Sequence, residues 1–166
     1  MTSVMIKVPR TMYRVECHDK AGNLKWVEEM PNIVFDRAIE DMLGVYFKNQ
    51  AQKPTWYLGL INTGASLLPT DTMASHPGWS ENTNYTAGQR PQAQFGVILD
   101  KRMSNALNKA IFTMQAPAGN IVGVFLVSDA TKGGTNGMLY AAAAFSSVKN
   151  TEASDTITVS ATVFGA

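Results

Sequence analysis

Cys17, His18 and His76 are the only thiol and imidazole groups in the chain, so a zinc site or a Ser or Cys nucleophile with a histidine base would have to draw on them. A cysteine nucleophile needs a histidine base within hydrogen-bond reach, itself oriented by a third group. Cys17 and His18 are adjacent in a segment that alternates like a strand, so their side chains point to opposite faces and cannot pair. His76 lies far off in His76-Pro77-Gly78, which is turn material. Zinc needs three or four converging ligands, and a lone cysteine closes no internal disulfide. Cys17 therefore reads as a small buried strand residue. Asp36 and Glu40 sit four apart, a spacing that invites an acid–base pair but ordinarily marks the solvated face of a helix. Lys132-Gly133-Gly134-Thr135 has the residue types of a phosphate loop in the wrong order. The lysine precedes the glycines and a strand follows, where G-x-x-x-x-G-K-[ST] before a helix is required. It reads as a hairpin loop. Asn84-Tyr85-Thr86 matches a glycosylation acceptor, but the N-terminus lacks the basic start and apolar stretch of a secretory signal, so the match is read as chance. No catalytic residue, metal ligand or cofactor is expected.

What remains is contact. Trp79 and Tyr85 are the aromatics that no periodic pattern assigns to a core, and Arg90 is the one basic residue near them. Stacking on bases or sugars would use such a set; anchoring a loop, or burial in a subunit interface, fits it better. Met5, Ile6 and Val8 make the N-terminus apolar, and such an arm could add a strand to a neighbour's sheet edge or form an internal edge strand. The chain has 14 basic and 13 acidic residues, and only 16% of it is charged, against roughly 25% for ordinary soluble domains. With no cluster of Lys and Arg, neither nucleic acid nor an anionic membrane is an expected partner, and no small-molecule ligand is expected. No apolar run reaches the 18 residues of a membrane span. Synthesis in a cytoplasm is the expectation.

The elements that position these residues are mostly strands. The 166 residues suit a single domain: an arm over 1–10 and a β-domain over 11–166. Tyr13, Val15 and Cys17 alternate with Arg14, Glu16 and His18, and Lys20-Ala21-Gly22-Asn23 supplies a turn. A hairpin over Met12 to Met30 follows, with Arg14 opposite Glu29 and Cys17 opposite Trp26, subject to a one-residue bulge. One helix is predicted over 34–48. Phe35, Ile39, Met42, Leu43, Tyr46 and Phe47 form its apolar stripe, and Asn32 serves as its cap. Trp56 to Asn62 reads as a central strand buried on both faces. The loop 63–91 has no period and is too long to be idle. Strands are predicted at Gln94–Leu99, Ala110–Gln115, Ile121–Ser128, Met138–Phe145 and Thr156–Phe164. The expectation is a mainly-β fold, an antiparallel β-sandwich, jelly-roll-like, of about eight strands.

Trp56-Tyr57-Leu58-Gly59-Leu60-Ile61 resembles a stretch found in small structural proteins of tailed bacteriophages. The resemblance runs in order through Gly22-Asn23-Leu24-Lys25-Trp26, Pro31-Asn32, Asp71-Thr72-Met73-Ala74-Ser75-His76-Pro77-Gly78-Trp79, and Tyr85 with Arg90-Pro91. It continues through Gly123-Val124-Phe125-Leu126, Thr131-Lys132-Gly133-Gly134-Thr135 and Asp155-Thr156-Ile157-Thr158-Val159. Leu99 to Ala110, with Asp100-Lys101-Arg102, is more basic than this group's pattern. The resemblance implies a non-enzymatic virion protein on the capsid exterior: a decoration (cement) protein, commonly a homotrimer, whose partners are the major capsid protein and its own copies. A head-fibre or tail-associated adaptor is the second expectation. A carbohydrate-binding sandwich using Trp79 and Tyr85 is the third.

Overall fold

The computed structural model describes residues 9–64, 66–117 and 119–165. Its first hairpin is the one the alternation predicts. Strands β1 (Arg10–His18) and β2 (Leu24–Pro31) pair antiparallel with Arg14 opposite Glu29 and Cys17 opposite Trp26, and a bulge shifts the register between Cys17 and His18. Asp19 makes the turn, its Oδ1 accepting from the Ala21 and Asn23 amides at 2.8 and 2.9 Å, while Gly22 takes φ +86°, a conformation open to glycine at no steric cost. Of the arm expected over 1–10, residues 1–8 lie outside the described residues, and Arg10 begins β1.

The remaining strands are β3 (Ile33–Val34), β4 (Tyr57–Thr63), β5 (Ser80–Asn82), β6 (Arg102–Ser104), β7 (Ala110–Thr113), β8 (Asn120–Val127), β9 (Leu139–Asn150) and β10 (Thr156–Phe164). They form two antiparallel sheets, one ordered β2-β1-β10-β6 with β7 also on β10, the other β3-β9-β8-β4-β5. The sheets face each other as a β-sandwich. Between them lie Tyr13, Val15 and Val159 from the first sheet and Leu58, Val124 and Leu126 from the second, each worth about 1.5–3 kcal/mol of burial. The Tyr13 hydroxyl crosses this core to donate to the Ala141 carbonyl at 3.2 Å. The second sheet is covered on its other face too. Ile61, Phe125 and Val127 pack there against Phe35, Met73 and Trp79, which is why Trp56 to Asn62 is almost unbroken apolar residues. On that face the Phe125 ring lies over Gly59, where a Cβ would come within 2.1 Å of it.

The β8–β9 register shifts between Ile121, opposite Lys149, and Gly123, opposite Ala144, so β9 bulges over 145–148. The bulge reaches the other sheet: Ser146 Oγ and Lys149 Nζ bond Glu28 of β2 at 2.7 and 2.6 Å.

Three expectations change. The helix, α1 (Asp36–Phe47), lies within the predicted span, but its deeply buried side is Ala38, Asp41 and Gly44. Leu43, Tyr46 and Phe47, from the predicted core stripe, face outward. Small residues let α1 sit close: a Cβ at Gly44 would strike the Gln50 side chain at 2.1 Å. Asn32 is not the cap. Phe35 takes that position without a side-chain bond, and Asn32 instead accepts from the Thr11 amide at 2.7 Å. Gln94–Leu99 is not a strand. It is joined to the return chain by an isolated bridge from Leu99 to Arg102 across Asp100 and Lys101, at φ +48° and +59°, and by the Gly96 amide donating to the Ser104 carbonyl at 2.9 Å. That reversal has positive φ at both central residues without the usual Asn-Gly signal, so the sequence concealed it.

Candidate functional site

Trp79, Tyr85 and Arg90, expected to meet a partner, are 5%, 0% and 2% exposed. Each packs inside the fold. Trp79 donates from Nε1 to Asp71 Oδ2 at 3.0 Å, stacks on His76 with centroids 3.8 Å apart, and lies against Phe125. His76 is committed as well, its Nδ1 3.0 Å from the Trp79 carbonyl. Tyr85 meets Phe112 edge-on at 4.9 Å, and burial raises its hydroxyl pKa. Arg90 grips Glu81 with two bonds at 2.9 and 2.7 Å and donates to the carbonyls of Asp129 and Gly134 at 2.9 and 2.8 Å. The fork geometry of a guanidinium suits this set. Of the two roles considered for these aromatics, burial within the fold selects the loop anchor: the long loop is fastened to the second sheet. A sugar-stacking role for Trp79 and Tyr85 needs exposed ring faces, and these are covered.

The glycine loop after β8 is the hairpin loop expected. Lys132 spends its ammonium on the Tyr85 and Ala87 carbonyls at 2.9 and 2.8 Å, so it holds the long loop. Cys17 is fully buried, and burial, then the neighbouring Asp155, pushes its thiol up to about 12. A thiol held that high has almost no thiolate at neutral pH and is inert. Among the described residues no group of three or more His, Cys, Asp or Glu could hold a metal ion. Met5, Ile6 and Val8 lie outside the described residues.

The surface that stands out is apolar. Leu43, Tyr46 and Phe47 follow the i, i+3, i+4 rule along the outer side of α1, with Tyr46 83% and Phe47 71% exposed and their rings edge to face at 4.9 Å. Val97, Ile98 and Leu99 are also exposed, Val97 at 87%. Between α1 and this segment runs a groove of about 600 Å³. Its floor is the end of the sandwich core, with buried Leu126 and Tyr140, and half-buried Met42, Trp56, Phe95 and Val163 line it. Single exposed apolar residues are ordinary, whereas a contiguous patch marks an interaction surface. The sequence held this signal in the helical stripe, but the rule that the larger apolar face turns inward pointed it the wrong way.

No family model, curated protein or solved structure matches the chain.

Proposed function

We propose that the protein is a non-enzymatic assembly protein, specifically a capsid decoration protein that binds the outer shell of a tailed-phage virion and stabilises joints between capsid subunits. One observation carries the assembly reading: the helix turns Leu43, Tyr46 and Phe47 to solvent, and Tyr46 shares a groove with exposed Ile98. Large aromatic and aliphatic side chains in such a patch are the material of interface hot spots. The low charge content supports the same reading, since interface cores are depleted of charge. The virion setting rests on the sequence resemblance. The partners are then the major capsid protein and further copies of this chain, the latter as a homotrimer. Many equivalent sites on a symmetric shell multiply modest contacts into firm attachment.

A head-fibre or tail-associated adaptor would use the same surface in a different place. Quantitative mass spectrometry of purified virions separates the two. Copy number close to that of the capsid protein is the expected result; a handful of copies per particle indicates the adaptor, and none refutes both.

A further inference from the structure

The exposed segment around Val97 also leaves main chain uncovered. The limb from Gly96 to Leu99 runs antiparallel to β6. Leu99 and Arg102 exchange main-chain bonds at 2.9 and 3.0 Å, and the Gly96 amide donates to the Ser104 carbonyl at 2.9 Å. β6 in turn pairs with β10, Met103 lying opposite Val163, so the limb extends the edge of the first sheet. Between its two anchoring points, Val97 and Ile98 make no main-chain hydrogen bond to any described residue. Their side chains are equally bare: Val97 is 87%, Ile98 75% and Leu99 64% exposed.

An edge with free amides and carbonyls is a template for another strand, and lysine or proline commonly blunts it. Residues 92–99 contain neither, and no charge of either sign. Valine and isoleucine are strong strand formers. The lack of charge selects the partner, because the same limb of a second copy brings no like charges together. A two-fold axis at Ile98 sets Val97 of each copy opposite Leu99 of the other, so the three exposed apolar residues cover one another. In that register Asp100 of each copy falls beside Gly96 of the other, away from its own like.

We propose that the limb 96–99 pairs antiparallel with the same limb of a second copy, about a two-fold axis at Ile98. Two main-chain bonds form, each from one Ile98 N–H to the other Ile98 carbonyl, as one strand adds to another's edge. The contact is isologous, the same patch serving both copies. It is small, so it is weak between free chains and gains strength where copies stand side by side on a shell. The inference rests on the assembly reading and names one contact between copies. Being two-fold, that contact joins one trimer to the next and does not close a trimer.

The test uses the full chain. Opposed residues that exchange both bonds have Cα atoms about 5.5 Å apart, within the ~4.4–6.8 Å a disulfide spans. The Ile98→Cys protein, concentrated, mildly oxidised and run on a denaturing gel without reductant, should form linked dimers at least about tenfold faster than Leu99→Cys or Leu107→Cys, both at exposed sites. Cys17 is buried and does not compete. Equal rates at the three sites mean random collision and overturn the proposal. Ile98→Pro removes the outward amide and no bond to the described residues. It should weaken self-association, read by light scattering, at least about tenfold with the thermal midpoint unchanged, whereas Ile98→Val should retain it. Association untouched by the proline overturns main-chain pairing. An Ile98 amide protected from exchange only on the particle assigns the edge to a strand of another protein, and also overturns it. Attachment to particles is scored in parallel: chains that attach without pairing sink this inference alone, and chains that pair without attaching sink the assembly reading alone.

Discussion

Arg90 brings a full positive charge to a place with no solvent, and the fold answers with Glu81 and two carbonyls. Removing one member of a buried pair strands the other, at about 3–5 kcal/mol. Arg90→Ala should therefore lower the unfolding free energy from urea titration by that amount, and Arg90→Lys should recover only part of it because the fork is lost. Tyr85 behaves oppositely. Its buried hydroxyl has no hydrogen-bond partner among the described residues, so Tyr85→Phe should be neutral or stabilising by up to about 1 kcal/mol in the same measurement. Glu16 and Glu28 contribute to the acid sensitivity. The Arg14 hydrogen bond, followed by Lys109 against the effect of burial, holds Glu16 below the usual carboxylate range. Burial pushes Glu28 up, but bonds from Lys149 and Ser146 outweigh it and the net direction is down. A carboxyl with a lower folded than unfolded pKa adds stability once pH exceeds the unfolded value, about 4.3. That stability is lost as pH falls through the folded value. Urea midpoints should fall below about pH 4, and Glu28→Gln should flatten the fall. The sequence marked Trp79, Tyr85 and Arg90 as unusual, but their role depended on Asp71, Glu81 and the 129–134 carbonyls converging from elsewhere in the chain, which no local pattern shows.

At the scale of elements, alternation was a faithful guide wherever one face of a strand meets the core. Thr156–Phe164 and the β1–β2 register appear as read. It failed at Gln94–Leu99, where apolar residues run along an exposed rim and the reversal at Asp100-Lys101 lacks glycine. The helical stripe misled at α1, where Ala38 and Gly44 are buried, Gly44 beneath the Gln50 side chain, and the bulky residues are left outside. The consequence is measurable. Replacing Leu43, Tyr46 and Phe47 together by Ser should leave the thermal midpoint nearly unchanged, since each exposed change is worth within about 0.5 kcal/mol, while abolishing attachment to the particle. A large loss of stability would place that stripe in the core after all. Ala38→Leu, by contrast, overpacks a buried contact and should cost about 1–3 kcal/mol.

For the whole molecule, the two-sheet sandwich followed from strand content and turn spacing, but the strand order did not. The first and last strands, β1 and β10, pair from Arg10 opposite Phe164 to His18 opposite Thr156, a contact with no local signature. The second sheet is sealed on both faces by the other sheet and by the anchored long loop, and α1 with the 97–99 segment carries a cluster of exposed large apolar side chains suited to meeting another protein. Cryo-EM of virions carrying this chain tests that claim most directly. The account predicts sandwich density on the outer shell, with Leu43, Tyr46 and Phe47 buried against a capsid subunit or a second copy at a joint. Sandwich density attached through another face, with that helix side open to solvent, would contradict it.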